Sequence, residues 1–132
     1  ACKTSTEEVP LDRWRGMIRP FRAPAPRRIH RPVGCLECRM TGYRGRLGLY
    51  ELLQVDEPMQ RLVAEDAPLQ AIRRHALRSG MRPMRVSGAT RVAQGLTTIE
   101  EVLRQAPQIE VGGGQGKPDA PAAVAEDILE TR

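Results

Sequence analysis

Residues 34–53 read GCLECRMTGYRGRLGLYELL. Two cysteines and three glycines fall within the first twelve positions. Glycine permits φ > 0 corners that other residues resist, so this stretch predicts a tight knuckle. Cys35 and Cys38 form a C-x2-C pair. That spacing lets two thiolates reach one tetrahedral zinc while nearby backbone N–H groups stabilise the sulfurs. Behind the knuckle, RLGLYELLQV (46–55) is apolar with β-compatible residues and predicts a buried strand, with Gly48 marking a bulge or a close backbone approach.

Upstream of the knuckle, Pro20, Pro24, Pro26 and Pro32 predict a loop over 20–33, because proline interrupts helices and central strands. The loop carries Arg22, Arg27, Arg28, His30 and Arg31. LDRWRGMIR (11–19) has the amphipathic spacing of a short helix. In the first ten residues, Ser5 or Thr6 can cap a turn whose early acids are Glu7 and Glu8.

Downstream the pattern turns helical. Asp56 predicts an N-cap, with Pro58 in the first turn and Met59, Leu62 and Val63 on one face. Pro68 starts a second helix that ends at Ser79-Gly80. Residues 83–94 predict a third, closed by Gly95. Thr97 and Thr98 precede Glu100 and Glu101 in a capping-box arrangement, opening a last helix that stops near Pro107. Glycine and proline then dominate 112–121, so 107–132 is expected to be a mostly disordered tail. The expected organisation is a knuckle region with its basic loop and return strand (1–55), a helical subdomain (56–106) and the tail.

The 132 residues suffice for one small domain and that tail. Trp14, Phe21, Tyr43 and Tyr50 are the whole aromatic complement, so the core is expected to rest on aliphatic side chains. The expected fold is mainly α, with a zinc knuckle and one or two short strands. The net charge is +5, and Lys3 and Lys117 are the only lysines. This arginine excess admits two readings: a surface for nucleic acid or acidic partners, or a compositional bias of the source. No aromatics interleave with the arginines to stack bases, so no nucleic-acid partner is expected. The chain shows neither a signal-peptide pattern nor an apolar run of about 18 residues, and a soluble cytoplasmic protein is expected.

Zinc takes four ligands. Cys2 offers a third; His30 is the nearest candidate for the fourth, while His75 falls in a predicted helix and reads as a solvated residue. A redox role for Cys35 and Cys38 lacks the βαβ context of thioredoxin-like motifs, and a disulfide is disfavoured in the cytosol. GGGQGK (112–117) is not a P-loop, because Val111 stands where its first glycine is required and Pro118 where Ser or Thr must follow the lysine.

The 34–53 stretch resembles the GC-x2-C-x2-TGY-x-GR-x-GIYELL signature of the type II secretion and type IV pilus assembly ATPases. GMRPMRVSGATRVAQGLTTIEEVLR (80–104) is similar to the C-terminal signature of that family, a GM-x-x-L start, a helix, then G-x-T-T-x-EEV-x-R. The resemblance covers about residues 1–106 and leaves the tail without a counterpart. It implies a C-terminal appendage of a RecA-like α/β ATPase domain, whose sheet the strand 46–55 would join. It also implies zinc held by two C-x2-C pairs. Cys35 and Cys38 match the downstream pair and Cys2 the end of the upstream pair, whose first cysteine falls two positions before Ala1; His30 is the substitute. ATP and magnesium belong to motifs absent from these residues, so the chain alone is expected to be inactive. The resemblance implies hexamers at the cytoplasmic face of a bacterial inner membrane that move platform proteins to export protein or assemble a pilus. Arg46 either faces the nucleotide in such an assembly or forms an ion pair with Glu51. A free-standing zinc ribbon that binds nucleic acid is the alternative from another class.

Overall fold

The computed structural model describes residues 2–109. Five helices and one two-stranded sheet make up its regular structure. The first strand, β1 (Lys3–Thr6), pairs antiparallel with β2 (Ile29–Pro32), in a register that sets Lys3 opposite Pro32 and Thr6 opposite Ile29. Val33 N–H extends the ladder to the Cys2 carbonyl at 3.0 Å. Pro32 is tolerated because it ends a strand whose outer side pairs with no other strand among the described residues.

Between the strands, α1 (Leu11–Ile18) turns Trp14, Met17 and Ile18 inward at helical spacing. The Trp14 indole N–H donates to the Ala23 carbonyl at 3.2 Å and so pins the proline-rich loop across the helix. The helix α2 (Glu57–Ala64) starts where the Asp56 carboxylate accepts from Met59 N–H at 2.9 Å, and α3 (Leu69–Arg78) folds back on it. Next come α4 (Met84–Ala93) and α5 (Ile99–Gln105). Thr98 caps α5 by accepting from Glu101 N–H at 3.2 Å.

The main core joins Trp14, Met17 and Ile18 of α1, Ile29 of β2, Ala89 and Val92 of α4, and Ile99 and Val102 of α5. Gly88 lets α4 and α5 approach closely: a Cβ there would stand 2.5 Å from Val102 Cγ1. A second cluster forms around Phe21 and Val86, with Leu77, Ala93 and Ile109 against it. Trp14 and Phe21 anchor these two clusters, so the core is less purely aliphatic than the composition implies.

Three expectations are corrected. The segment 20–33 is not loop throughout, since its last residues form β2. Residues 3–6 are strand rather than the cap of a turn, although Thr6 Oγ1 still accepts from Glu8 N–H at 3.2 Å. Residues 46–55 form no strand, and Tyr50, Leu52 and Val55 stand exposed at 69 %, 82 % and 55 %. Apolar β-type residues make a strand only beside a sheet edge, and no strand of the described residues pairs with them. The tail expected from 107 onward lies outside the described residues from 110.

Candidate metal centre

The knuckle is built by the glycines. Gly34 and Gly42 take φ of +86° and +77°, and a Cβ on Gly42 would lie 2.2 Å from Pro32 Cβ. Met40 N–H donates to the Cys35 carbonyl at 2.8 Å and Thr41 N–H to the Cys38 carbonyl at 3.2 Å, closing consecutive turns. These turns aim two amides at one sulfur: Cys38 Sγ accepts from Cys35 N–H at 3.1 Å and Gly42 N–H at 3.2 Å. The β1–β2 ladder brings Cys2 to the same place from 33 residues away, and the Cys2 and Cys35 sulfurs approach to 2.6 Å. All three cysteines are free, and their sulfurs lie within 4.8 Å of one another.

Burial of Cys38 raises its thiol pKa, but the amides of Gly42 and Cys35 outweigh that effect and bring it down to about 7. Cys2 moves the other way, to about 11, because of its hydrogen bond to Cys35 and its burial. Cys38 therefore ionises more readily than Cys2, and a bound cation would favour the thiolate form of the group. The donor set fits a metal: three soft sulfurs converge and amides stabilise one of them. Sulfurs about 2.3 Å from one tetrahedral zinc stand roughly 3.8 Å apart, so ligation would open the Cys2–Cys35 approach by about 1 Å.

The group has no fourth histidine, aspartate or glutamate among the described residues. His30 lies elsewhere. Its ring packs on Gly95, where a Cβ would meet Nδ1 at 2.6 Å, and Nδ1 is buried without a hydrogen-bond partner. Burial, followed by the charges of Lys3 and Arg28, holds its pKa below the usual value. His75 is not a solvated residue: it is half-buried, and Nε2 meets the Asp56 carboxylate at 2.8 Å.

Between the knuckle and α5 opens a cleft of about 1270 Å³, with Cys2, Cys38, Tyr43, Arg46, Glu101 and Arg104 in its wall. Arg46 is exposed on this wall. Glu51 accepts from Met84 N–H at 2.7 Å, so it serves the first turn of α4. Two contacts, one from the knuckle and one from β1, reach the helical part without any signal in the sequence. The Tyr43 hydroxyl and Thr98 Oγ1 are 2.7 Å apart, and Lys3 Nζ donates to the Gly95 carbonyl at 2.7 Å. Thr98 stands at a capping position in the sequence, whereas nothing there assigns partners to Tyr43 or Lys3.

The family model described as type II/IV secretion system protein matches residues 1–104. Among curated relatives, the type IV pilus assembly ATPase TfpB of Acinetobacter baylyi is 36% identical over 106 residues, covering 80% of this chain and 18% of that protein. The type II secretion system ATPase E of Vibrio cholerae is 35% identical over 103 residues, covering 78% of this chain and 20% of its own length. Type II secretion system protein E of Pseudomonas aeruginosa is 46% identical over 80 residues, 61% of this chain and 16% of that protein. The chain thus spans about a fifth of the length of these relatives. With both signature stretches inside the matched region, the chain belongs to the type II/IV secretion system protein family.

Proposed function

We propose that this chain serves as the C-terminal, zinc-bearing part of a secretion or pilus assembly ATPase. In this reading its own role is structural and partner-binding, while ATP and magnesium are handled by the rest of the enzyme. The observation that carries it is the convergence of Cys2, Cys35 and Cys38 within a chain that matches the family over nearly all its described residues. Zinc suits three thiolates that need charge neutralisation but no redox chemistry. Cys38 would bind first, its sulfur held by two amides; Cys35 would follow from the same knuckle and Cys2 from just before β1. A cysteine two positions before Ala1 in the longer protein would complete the tetrahedron. The metal supplies a cross-link between β1 and the knuckle, and through Tyr43 that constraint reaches the cap of α5.

The parent would be a hexamer at the cytoplasmic face of the inner membrane, acting on platform proteins. The exposed apolar segment 46–55 would meet the sheet of its RecA-like domain, burying Tyr50 and Leu52. Arg46, exposed on the cleft wall, would then face the nucleotide pocket. The absence of stacking aromatics among the arginines speaks against a separate nucleic-acid-binding module.

Cobalt titration tests the metal reading. One equivalent should give sulfur-to-cobalt charge-transfer bands and tetrahedral d–d bands, and a featureless spectrum would overturn it. Phosphate release tests the division of labour: the chain alone should not hydrolyse ATP, and hydrolysis abolished by Lys117→Ala would contradict that.

A further inference from the structure

Cys35 and Cys38 are neighbours in sequence, yet the sulfur in contact with Cys35 belongs to Cys2. The two Sγ atoms lie 2.6 Å apart, joining positions separated by 33 in the chain. A disulfide bond is about 2.05 Å long. Sulfurs that share one tetrahedral zinc stand roughly 3.8 Å apart. The observed separation is nearer to the bond. Backbone holds both ends of this approach. The Cys2 carbonyl accepts from Val33 N–H at 3.0 Å, which seats Cys2 beside the residue two positions before Cys35. Gly34, at φ +86°, then turns the chain into the knuckle.

Cys38 is engaged otherwise. Its sulfur accepts from the amides of Cys35 and Gly42 and donates to the Cys35 carbonyl at 3.3 Å. Cys38 is buried, whereas Cys2 and Cys35 are half-buried, and Cys2 stands in the wall of the cleft. A dissolved oxidant therefore meets the two sulfurs in contact more readily than the one held by amides.

We propose that Cys2 and Cys35 form a thiol-oxidation site: in the metal-free chain a small-molecule disulfide converts them to an intramolecular disulfide, and Cys38 stays a free thiol. The step is thiol–disulfide exchange. One cysteine sulfur displaces a thiol from the oxidant and forms a mixed disulfide. The other sulfur then displaces the second thiol and closes the Cys2–Cys35 bond. The two hydrogens of the cysteine thiols end on the two released thiols, and the oxidant gains the two electrons that the pair loses. Bond and metal exclude each other, because both use the same two sulfurs. The bond keeps the entry to β1 tied to the knuckle, so oxidation replaces one cross-link with another.

The test uses the full chain, stripped of metal with a chelator and exposed to glutathione disulfide, so its outcome is separate from that of the cobalt titration. Intact mass should fall by two hydrogens, with one thiol left to alkylate. Fragmentation of the linked peptides should place the bond between Cys2 and Cys35 and the alkyl group on Cys38. Cys38→Ser should still form the bond, and Cys35→Ser should lose it. In concentrated urea the selection should vanish in favour of Cys35 and Cys38, whose short loop is the easier to close in an unfolded chain. A Cys35–Cys38 or Cys2–Cys38 bond in the folded chain would overturn the proposal. So would mixed disulfides that never resolve, disulfide-linked dimers, or three thiols that stay reduced.

Discussion

The Tyr43 hydroxyl lies 2.7 Å from Thr98 Oγ1, joining the cysteine knuckle to the N-cap of α5 across 55 residues of sequence. Thr98 is buried, and its hydroxyl also accepts from Glu101 N–H, so one oxygen serves both the cap and the knuckle. Tyr43→Phe should therefore cost about 1 kcal/mol. Thr98→Ala should cost about 1–2 kcal/mol, since it removes the cap as well. In a double-mutant cycle read by urea denaturation, the pair should couple by more than about 0.5 kcal/mol. Strictly additive effects would mean that the two groups act apart.

The same pair shows what the sequence holds and what it does not. The helices were legible because each carries its own start signal: Asp56 and Thr98 cap as the pattern predicts, and 83–94 is observed as Met84–Ala93. The cysteine group was legible from the knuckle spacing, with Cys2 marked as a third ligand. The β1–β2 pair was hidden, because its strands lie far apart in sequence and β2 ends on a proline within a proline-rich stretch. The segment 46–55 misled in the opposite sense. Its apolar pattern describes what the residues can bury, not whether a sheet edge stands beside them. Glu51 lies close enough in sequence to pair with Arg46, yet it serves α4, a contact that depends on how the return segment crosses Met84.

The α4–α5 crossing offers a packing test. Gly88→Ala would drive a methyl group to 2.5 Å from Val102 Cγ1. Such overpacking should destabilise the fold by about 1–3 kcal/mol. Adding Val102→Ala should recover part of that loss, because the new methyl group enters space that valine vacates. Calorimetric melting of the three variants checks this, and a double variant weaker than both single ones would argue against the close approach.

Acid should act on the α2–α3 pair. The Asp56 carboxylate accepts from Met59 N–H and His75 Nε2, in that order of effect, which holds its pKa below the ordinary value of 3.8. A carboxyl group depressed in the folded state contributes stability that is present above its unfolded value and lost as pH falls through the folded one. The protection of the Met59 amide, its exchange rate relative to the unfolded chain at the same pH, should decline as the pH drops below about 3.8, and Asp56→Asn should flatten that dependence. Unchanged acid sensitivity in Asp56→Asn would assign the effect to another group.

His30 works in a higher range. Its pKa is held down chiefly by burial, then by Lys3 and Arg28, so the folded state prefers the neutral ring. Stability from this group is full above its ordinary value of 6.5 and declines as pH falls through the lower folded-state value. Urea midpoints should fall between neutral and mildly acidic pH, and His30→Gln should lessen the slope. An equal slope in the variant would contradict this.

The central claim is that Cys2, Cys35 and Cys38 together hold one structural zinc. Its most direct test is zinc content by native mass spectrometry, taken beside thiol titration before and after chelation. The account predicts one zinc per chain, thiols that react fully only once a chelator is added, and loss of the metal in Cys38→Ser with α4 and α5 still formed. A metal-free chain whose three thiols titrate at once without chelator would contradict it.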